Sequence, residues 1–295
     1  MIFDSKHQAR ADIRGKVLKA FFAIVLTSIL VGILGSLLQE INPFPVPLTV
    51  MGENFWEQPE AYTPKFLPGT IFNMVTSLAL SFFFTSVLSI GLNNFFIRNG
   101  QQKELDVVNS LFIGFKTRYI FILKTLLTLF LAVAIYAIPI YGLMVVGLIV
   151  AFIEPIIGGV ISLIVFIGFI FLIIKLLDYS FVIFLLADED VEFDQPKAYL
   201  EASKQMIKGY KFDFVLLGLS FILWFIASAF TIFLLLIWLL PYMYQSYANF
   251  YLKLKPKKEV AETWEIAPKC DPRGLRDNYV SGNIFNIGDI VENLN

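Results

Sequence analysis

The chain reads as an all-α polytopic membrane protein. Its expected form is six transmembrane helices in three hairpins, with amphipathic elbow helices lying in the cytoplasmic interface. Three observations predict this. Apolar runs exceed the roughly 20 residues that span a bilayer, in a chain that is 57% hydrophobic and only 16% charged, against about 25% charged in soluble domains. Basic residues segregate by segment, and a Gly-Lys or Gly-x-Lys element recurs at the mouth of three apolar runs.

The spans are placed at about 16–38, 70–97, 118–140, 160–187, 212–230 and 231–252. The first is too long for a signal-peptide core and lacks a convincing small-residue cleavage site, so it is read as retained. Residues 1–255 form the membrane domain. Residues 256–295 return to ordinary soluble composition and are read as a cytoplasmic tail.

Orientation follows from the cations. Lys6, Arg10, Arg14, Lys16 and Lys19 precede the first span; Arg98, Lys103, Lys116 and Arg118 follow the second. Lys197, Lys204, Lys208 and Lys211 precede the fifth span, and Lys253, Lys255, Lys257 and Lys258 follow the sixth. The alternate connections hold Lys65 alone. The positive-inside rule then puts both termini in the cytoplasm of a cell-membrane protein. The Pro- and Glu-rich connection 39–69 is an outward, irregular cap.

The recurring element is "DIRGKVLKA" (12–20), "LFIGFKTRY" (111–119) and "MIKGYKFDF" (206–214). Glycine permits the left-handed backbone that ends a helix and turns the chain into the membrane. Gly15, Gly114 and Gly209 are therefore read as interfacial hinges. Lys16, Lys116 and Lys211 are read as the cations that snorkel to anionic headgroups. Before two of these sites lie amphipathic segments, one with Leu105, Val108, Phe112 and Phe115 on a face, the other with Tyr199, Ser203, Met206 and Tyr210. For the second, Asp194 is the expected N-cap and Pro196 the first turn. The exits echo as well: "NNFFIR" (93–98) and "ANFYLK" (248–253).

"FLLAD" (184–188), "EASKQMIKGYKFDFVLLGLSFILW" (201–224), "LPYMYQSYANFYLKL" (240–254) and "GFK" (114–116) carry a resemblance. In their order and content they resemble an uncharacterised bacterial integral-membrane family, domain-of-unknown-function family 975, over most of the chain to about Lys255. The resemblance implies a six-span bacterial membrane protein and brings no catalytic motif. Two departures stand out. Glu189-Asp190 replaces a frequent Asn-Pro, and the stretch joining spans three and four is much longer than the family's compact turn. That extra length makes either two overlong helices or an additional apolar hairpin.

Chemistry-bearing residues are sparse. One His (His7) and one Cys (Cys270) build no disulfide framework, zinc cluster or hydrolase triad. No metal, cofactor or nucleic-acid partner is expected, and the chain is read as a non-enzyme. The acidic run 187–194 lacks the turn glycine and distal Glu of a calcium loop and is read as solvated. Charges inside spans are functional candidates by default. Lys175 and Asp178, three apart, share a helix face and are expected to pair about 13 Å deep, with Lys124 within reach. Two functions follow. The first is a membrane protein acting through lipid-interface or partner contacts in the cell envelope. The second is a small transporter or lipid-handling carrier with a polar site at Lys124, Lys175 and Asp178. The expected partners of the chain are membrane lipids, with anionic headgroups at the cytoplasmic leaflet, and a membrane-protein partner is the further candidate.

Overall fold

A computed structural model describes residues 1–41 and 59–255, and every regular element among them is helical. The expected outward cap is described only outside 42–58, and the tail 256–295 lies outside the described residues. A short α1 (Ile2–Asp12) leads through Gly15 into α2 (Val17–Glu40). Next, α3 (Pro59–Leu80), a π-helical turn (Ser81–Thr85) and α4 (Ser86–Gly100) run as one continuous helix. The π register is marked by the Ser86 N–H donating to the carbonyl five residues back, Ser81, which also accepts from Ser86 Oγ at 2.8 Å. Then come α5 (Val107–Lys116), α6 (Tyr119–Ile153), α7 (Pro155–Asp178), α8 (Val182–Ala187), α9 (Pro196–Ile207), α10 (Lys211–Phe230) and α11 (Leu236–Leu254).

Among the described residues five stretches are long and apolar enough to cross a membrane: Val17–Leu38, Gly69–Gly100, Tyr119–Ile153, Pro155–Ala187 and Lys211–Phe230. The segment expected as span six differs. Its first residues, 231–235, form a turn, and the second half of α11 carries buried Gln245, Ser246 and Asn249. The boundaries of spans three and four also move. Pro139 does not end α6, which runs for 35 residues, because neighbouring groups in a long apolar helix accommodate the lost donor. The break falls instead at Glu154, held extended (φ −136°, ψ 94°) by the following Pro155. Pro155 in turn occupies the first position of α7, where no N–H is needed. The extra length is thus two overlong helices in one hairpin. Its pairing is fixed by Tyr136 against Phe171, Tyr141 against Phe169 and Ile140 beside Gly168.

Burial divides the described structure into two parts. In the shaft, large apolar side chains face outward: Leu78, Ile135 and Leu223 are exposed, and at the α6–α7 tip Phe152 is 92% exposed. In the base, Ala9, Ile13, Phe95, Leu111, Ile207 and Phe250 are fully buried or nearly so. The base is centred on Phe181, whose ring meets Phe214 at 5.4 Å, Tyr251 at 5.9 Å and Phe250 at 6.2 Å. Edge-to-face and offset pairs of this kind add about 0.5–1.5 kcal/mol each beyond their burial.

Within the base α4 and α5 approach closely through two glycines. A Cβ on Gly91 would overlap the Leu111 carbonyl, and one on Gly114 would lie 2.8 Å from Val87 Cγ1. Gly91→Ala should therefore destabilise the protein by about 1–3 kcal/mol through overpacking, whereas Gly142→Ala, with open space around it, should not. Thermal unfolding of the purified protein in detergent measures both, and equal midpoints would contradict the close approach.

Candidate functional site

The polar chemistry of the described residues gathers in the base, where the two helix exits that echo in sequence lie. Asn94 and Asn249 occupy matching positions in those exits, and both are buried. Around Asn249 a chain of side chains links three helices. Asn249 Nδ2 donates to Asp12 Oδ2 at 2.7 Å, and Gln102 Nε2 donates to Asp12 Oδ1 at 2.9 Å. Gln245 Nε2 donates to Asn249 Oδ1 at 2.9 Å and to the Phe96 carbonyl at 3.1 Å. Asn99 Nδ2 donates to Gln245 Oε1 at 2.7 Å and to the Asp12 carbonyl at 3.2 Å. Lys16 Nζ closes the set on Asn99 Oδ1 at 2.9 Å.

Asp12 is only 6% exposed. Burial raises its carboxyl above the ordinary carboxylate range, against hydrogen bonds from Asn249 and Gln102 and the positive charge of Lys16, which pull it down. In this set the amides and the carboxylate largely satisfy one another. That is the arrangement of a lock between α1, α4 and α11, and its stability rests on all members being present.

A second layer fastens the acidic run. Arg98 pairs with Glu189 at 2.9 Å, Lys103 with Asp190 at 3.0 Å and Arg118 with Glu192 at 2.8 Å. Asn94 Nδ2 reaches the Ala187 carbonyl and Glu189, and the Tyr251 hydroxyl donates to buried Asp188 at 2.9 Å. The run expected to be solvated keeps Glu189, Asp190, Glu192 and Asp194 exposed, with Asp188 buried, and is also clamped to the ends of α4, α6 and α11. Its carboxylates answer the cations that set the charge asymmetry.

The expected intramembrane site is arranged differently. Lys175 and Asp178 form no ion pair with each other. Asp178 is the last residue of α7, and its carboxylate pairs with Lys211 at the start of α10. Asp178 therefore lies at a helix end and not a third of the way into a continuous span. Lys175 Nζ sits over the rings of Tyr136 and Phe171, at 5.6 and 5.5 Å from their centroids. Lys124 is exposed and precedes Tyr136 by twelve residues, about 18 Å along α6, so it does not join them. Ser203 of α9 serves the break after α7, accepting from the Phe181 N–H at 3.1 Å and donating to the Asp178 carbonyl at 2.8 Å.

The three hinge sites divide two to one. Gly15 (φ 75°) and Gly209 (φ 86°) adopt the left-handed backbone. Gly114 does not. It lies within α5, where its lack of a side chain admits Val87, and the turn comes later at Thr117. Their lysines turn to protein partners: Lys16 to Asn99, Lys116 to Asn109 at 2.7 Å and Lys211 to Asp178. On α9 the face expected to meet the interface is instead packed into the protein at Tyr199, Ser203 and Met206, with Tyr210 beyond the helix exposed, Pro196 in the first turn and Gln195, not Asp194, as N-cap. On α5 the buried face is Val107, Ser110, Leu111 and Gly114, which leaves the expected interfacial face outward, with Val108 exposed and Phe112 and Phe115 half-buried. The sequence reading missed Asp12, Asn99, Gln245 and Asn249. The repeated Asn at the two exits was the available signal.

Residues 2–258 match the profile of a family described as Protein of unknown function (DUF975), and the chain belongs to that family. No curated protein and no solved structure matches it.

Because the fold holds the Asp12 proton more tightly than the unfolded chain does, its proton-linked contribution is fully present below the ordinary value near 3.8. It is lost as pH rises through the higher native value. The thermal midpoint of the wild type relative to Asp12→Asn should therefore fall as pH rises from about that value and then level off. A difference that stays flat or grows with pH would contradict the assignment.

Proposed function

We propose that this chain is a multi-pass cell-membrane protein whose base faces the cytoplasm. In this reading it works through the surfaces its shaft and interface offer to lipids and membrane partners, without catalysing a reaction. The observation that carries this reading is the division of burial. Outward-facing side chains of the shaft are apolar, while buried polar groups and ion pairs collect at the end that also holds the cations. Exposed apolar surface on that scale suits hydrocarbon, and polar groups gather where water is near.

In this placement Asp178, Lys175 and Lys211 lie at headgroup level. From the level of Asp178 to the α6–α7 tip at Pro155 is 23 residues, about 35 Å along α7, slightly more than the roughly 30 Å hydrocarbon core. The helices then form three hairpins: α2 with α3 and α4, α6 with α7, and α10 with α11. The third is supported by Trp224 against Trp238 and Phe221 against Tyr242. The apolar first half of α11 makes the sixth crossing. On α5, Val108, Phe112 and Phe115 face acyl chains as an interfacial elbow. The carrier reading loses its main residue, since Asp178 is neutralised by Lys211 at the end of a helix.

Orientation is tested with single cysteines in a Cys270→Ser background, labelled by a membrane-impermeant maleimide. Glu154→Cys at the hairpin tip should label in intact cells. Glu104→Cys in the base should label only in inverted vesicles. Labelling of both from the same side would overturn the placement.

A further inference from the structure

Helix α1 is polar, yet its contacts carry it up beside the shaft. At its base end Asp12 bonds Asn249. Two residues back the guanidinium of Arg10 covers Tyr242, 5.5 Å from the ring centroid, and one turn further Lys6 Nζ lies 4.3 Å from the centroid of Phe221. Phe221 and Tyr242 are buried and pack edge to face at 5.5 Å, so the two cations stand on one aromatic floor. That floor is raised. Tyr242 precedes Asn249 by seven residues, about 10 Å along α11, and Phe221 follows Lys211 by ten, about 15 Å along α10. With Lys211 at headgroup level, the floor lies well inside the base-side leaflet, whose hydrocarbon is about half of a 30 Å core.

Neither cation is neutralised. Among the described residues Lys6 and Arg10 form no ion pair. The acids of α1 are spent elsewhere, Asp4 on the amino terminus at 3.5 Å and Asp12 on Asn249 and Gln102. Helices α4 and α11 carry no carboxylate, and the one acid of α10, Asp213, precedes Phe221 by eight residues, about 12 Å. Burial, and after it the positive charge of Arg10, lowers the Lys6 ammonium from its ordinary value. An aromatic face orients a cation but leaves its charge and its N–H donors unspent. The floor holds an idle donor too: the buried Tyr242 hydroxyl has no hydrogen-bond partner among the described residues. Unanswered charges at membrane depth are costly and mark sites of function.

The pair selects its anion. Residues four apart are neighbours on one helix face, so one tetrahedral anion can touch both groups. Arg10 offers paired N–H donors and Lys6 a point charge, a combination suited to phosphate oxygens. Arg10 is exposed and Lys6 half-buried, so an anion reaches them from the open side of α1. At a membrane surface the abundant anions of this kind are lipid phosphates, and a basic residue near that surface attracts them strongly.

We propose that Lys6 and Arg10, standing on Phe221 and Tyr242, form a recessed phosphate site that draws the headgroup of an anionic phospholipid below the headgroup plane of the base-side leaflet. The assignment rests on the base facing headgroups, as proposed above, and it adds the lipid class, the residues and the depth. Beside α1 the leaflet is correspondingly thinned.

The test uses the full chain, purified, stripped of lipid and titrated with phosphatidylglycerol or phosphatidylcholine of identical acyl chains. Retention is read by native mass spectrometry. The wild type should retain phosphatidylglycerol in preference. Lys6→Gln/Arg10→Gln should lower its retention about 30-fold, as two basic residues near a lipid surface imply. Should that variant be misfolded by its thermal midpoint, Lys6→Gln alone takes its place, with a loss of about 5-fold. Lys197→Gln/Lys208→Gln removes two exposed cations elsewhere in the base and should leave retention close to wild type. An equal loss in that control would reduce the effect to surface charge and overturn the site, as would wild-type retention in a folded Lys6/Arg10 variant. Glycerol phosphate at millimolar concentration should leave phosphatidylglycerol bound. Displacement by it would assign the site to a soluble phosphate compound and overturn the lipid. If cysteine labelling reverses the placement while the Lys6/Arg10 loss persists, the recess falls and the phosphate contact stands.

Discussion

The carboxylate of Asp12, taken out of water and shared between two side-chain amides, is the contact on which the base depends. A lone buried charge is costly, and breaking a buried, partnered set by removing one member costs more than the set contributes intact. The chain meets this constraint by bringing five polar side chains from well-separated segments to one place. Asn249 is 237 residues from Asp12 in sequence, yet they bond at 2.7 Å. Because the donors and acceptors must match, α1, α4 and α11 have little freedom in their relative register. The aromatic cluster about Phe181 then packs against helices already fixed. Among the described residues the fully buried side chains concentrate at this end.

The lock also explains the glycines. Gly15 and Gly209 stand where a helix of the base hands over to a long helix of the shaft, and each needs a left-handed residue to make the turn. The lysine that follows each one pins the new helix to the base, Lys16 through Asn99 and Lys211 through Asp178. At Gly114 the same short sequence does another job. There the helix simply continues, and the missing side chain lets α5 lie against α4. A three-residue element thus has two meanings, and the backbone after it decides which. At Gly114 the turn is supplied by Thr117 and Arg118, so no left-handed glycine is required.

Much of the architecture was legible because it rests on one-dimensional quantities. Apolar run length, cation placement and helical spacing find long helices but not all their ends: the second starts at Pro59 where 70 was expected, and α6 continues to Ile153 past the expected 140. The helical period of α9 was legible, but its face meets protein and not the interface expected for it. What sequence could not carry was partner choice. Asp178 has Lys175 three residues away and Lys211 thirty-three away. Spacing favours the first, but the end of α7 and the start of α10 meet in space and select the second. Likewise the acidic run 188–192 is exposed as expected except at Asp188, but only the folded chain sets Arg98, Lys103 and Arg118 opposite it. The amides of the lock carry no charge and no motif, so only their repeated place at the two exits hinted at them.

A division of labour follows from where the buried contacts lie. Global stability resides in the base, with its amide chain, ion pairs and aromatic cluster, while α6 and α7 pack mainly on each other beyond it. In a protein built this way the parts with fewest buried contacts open first and at least cost. The shaft hairpins are those parts.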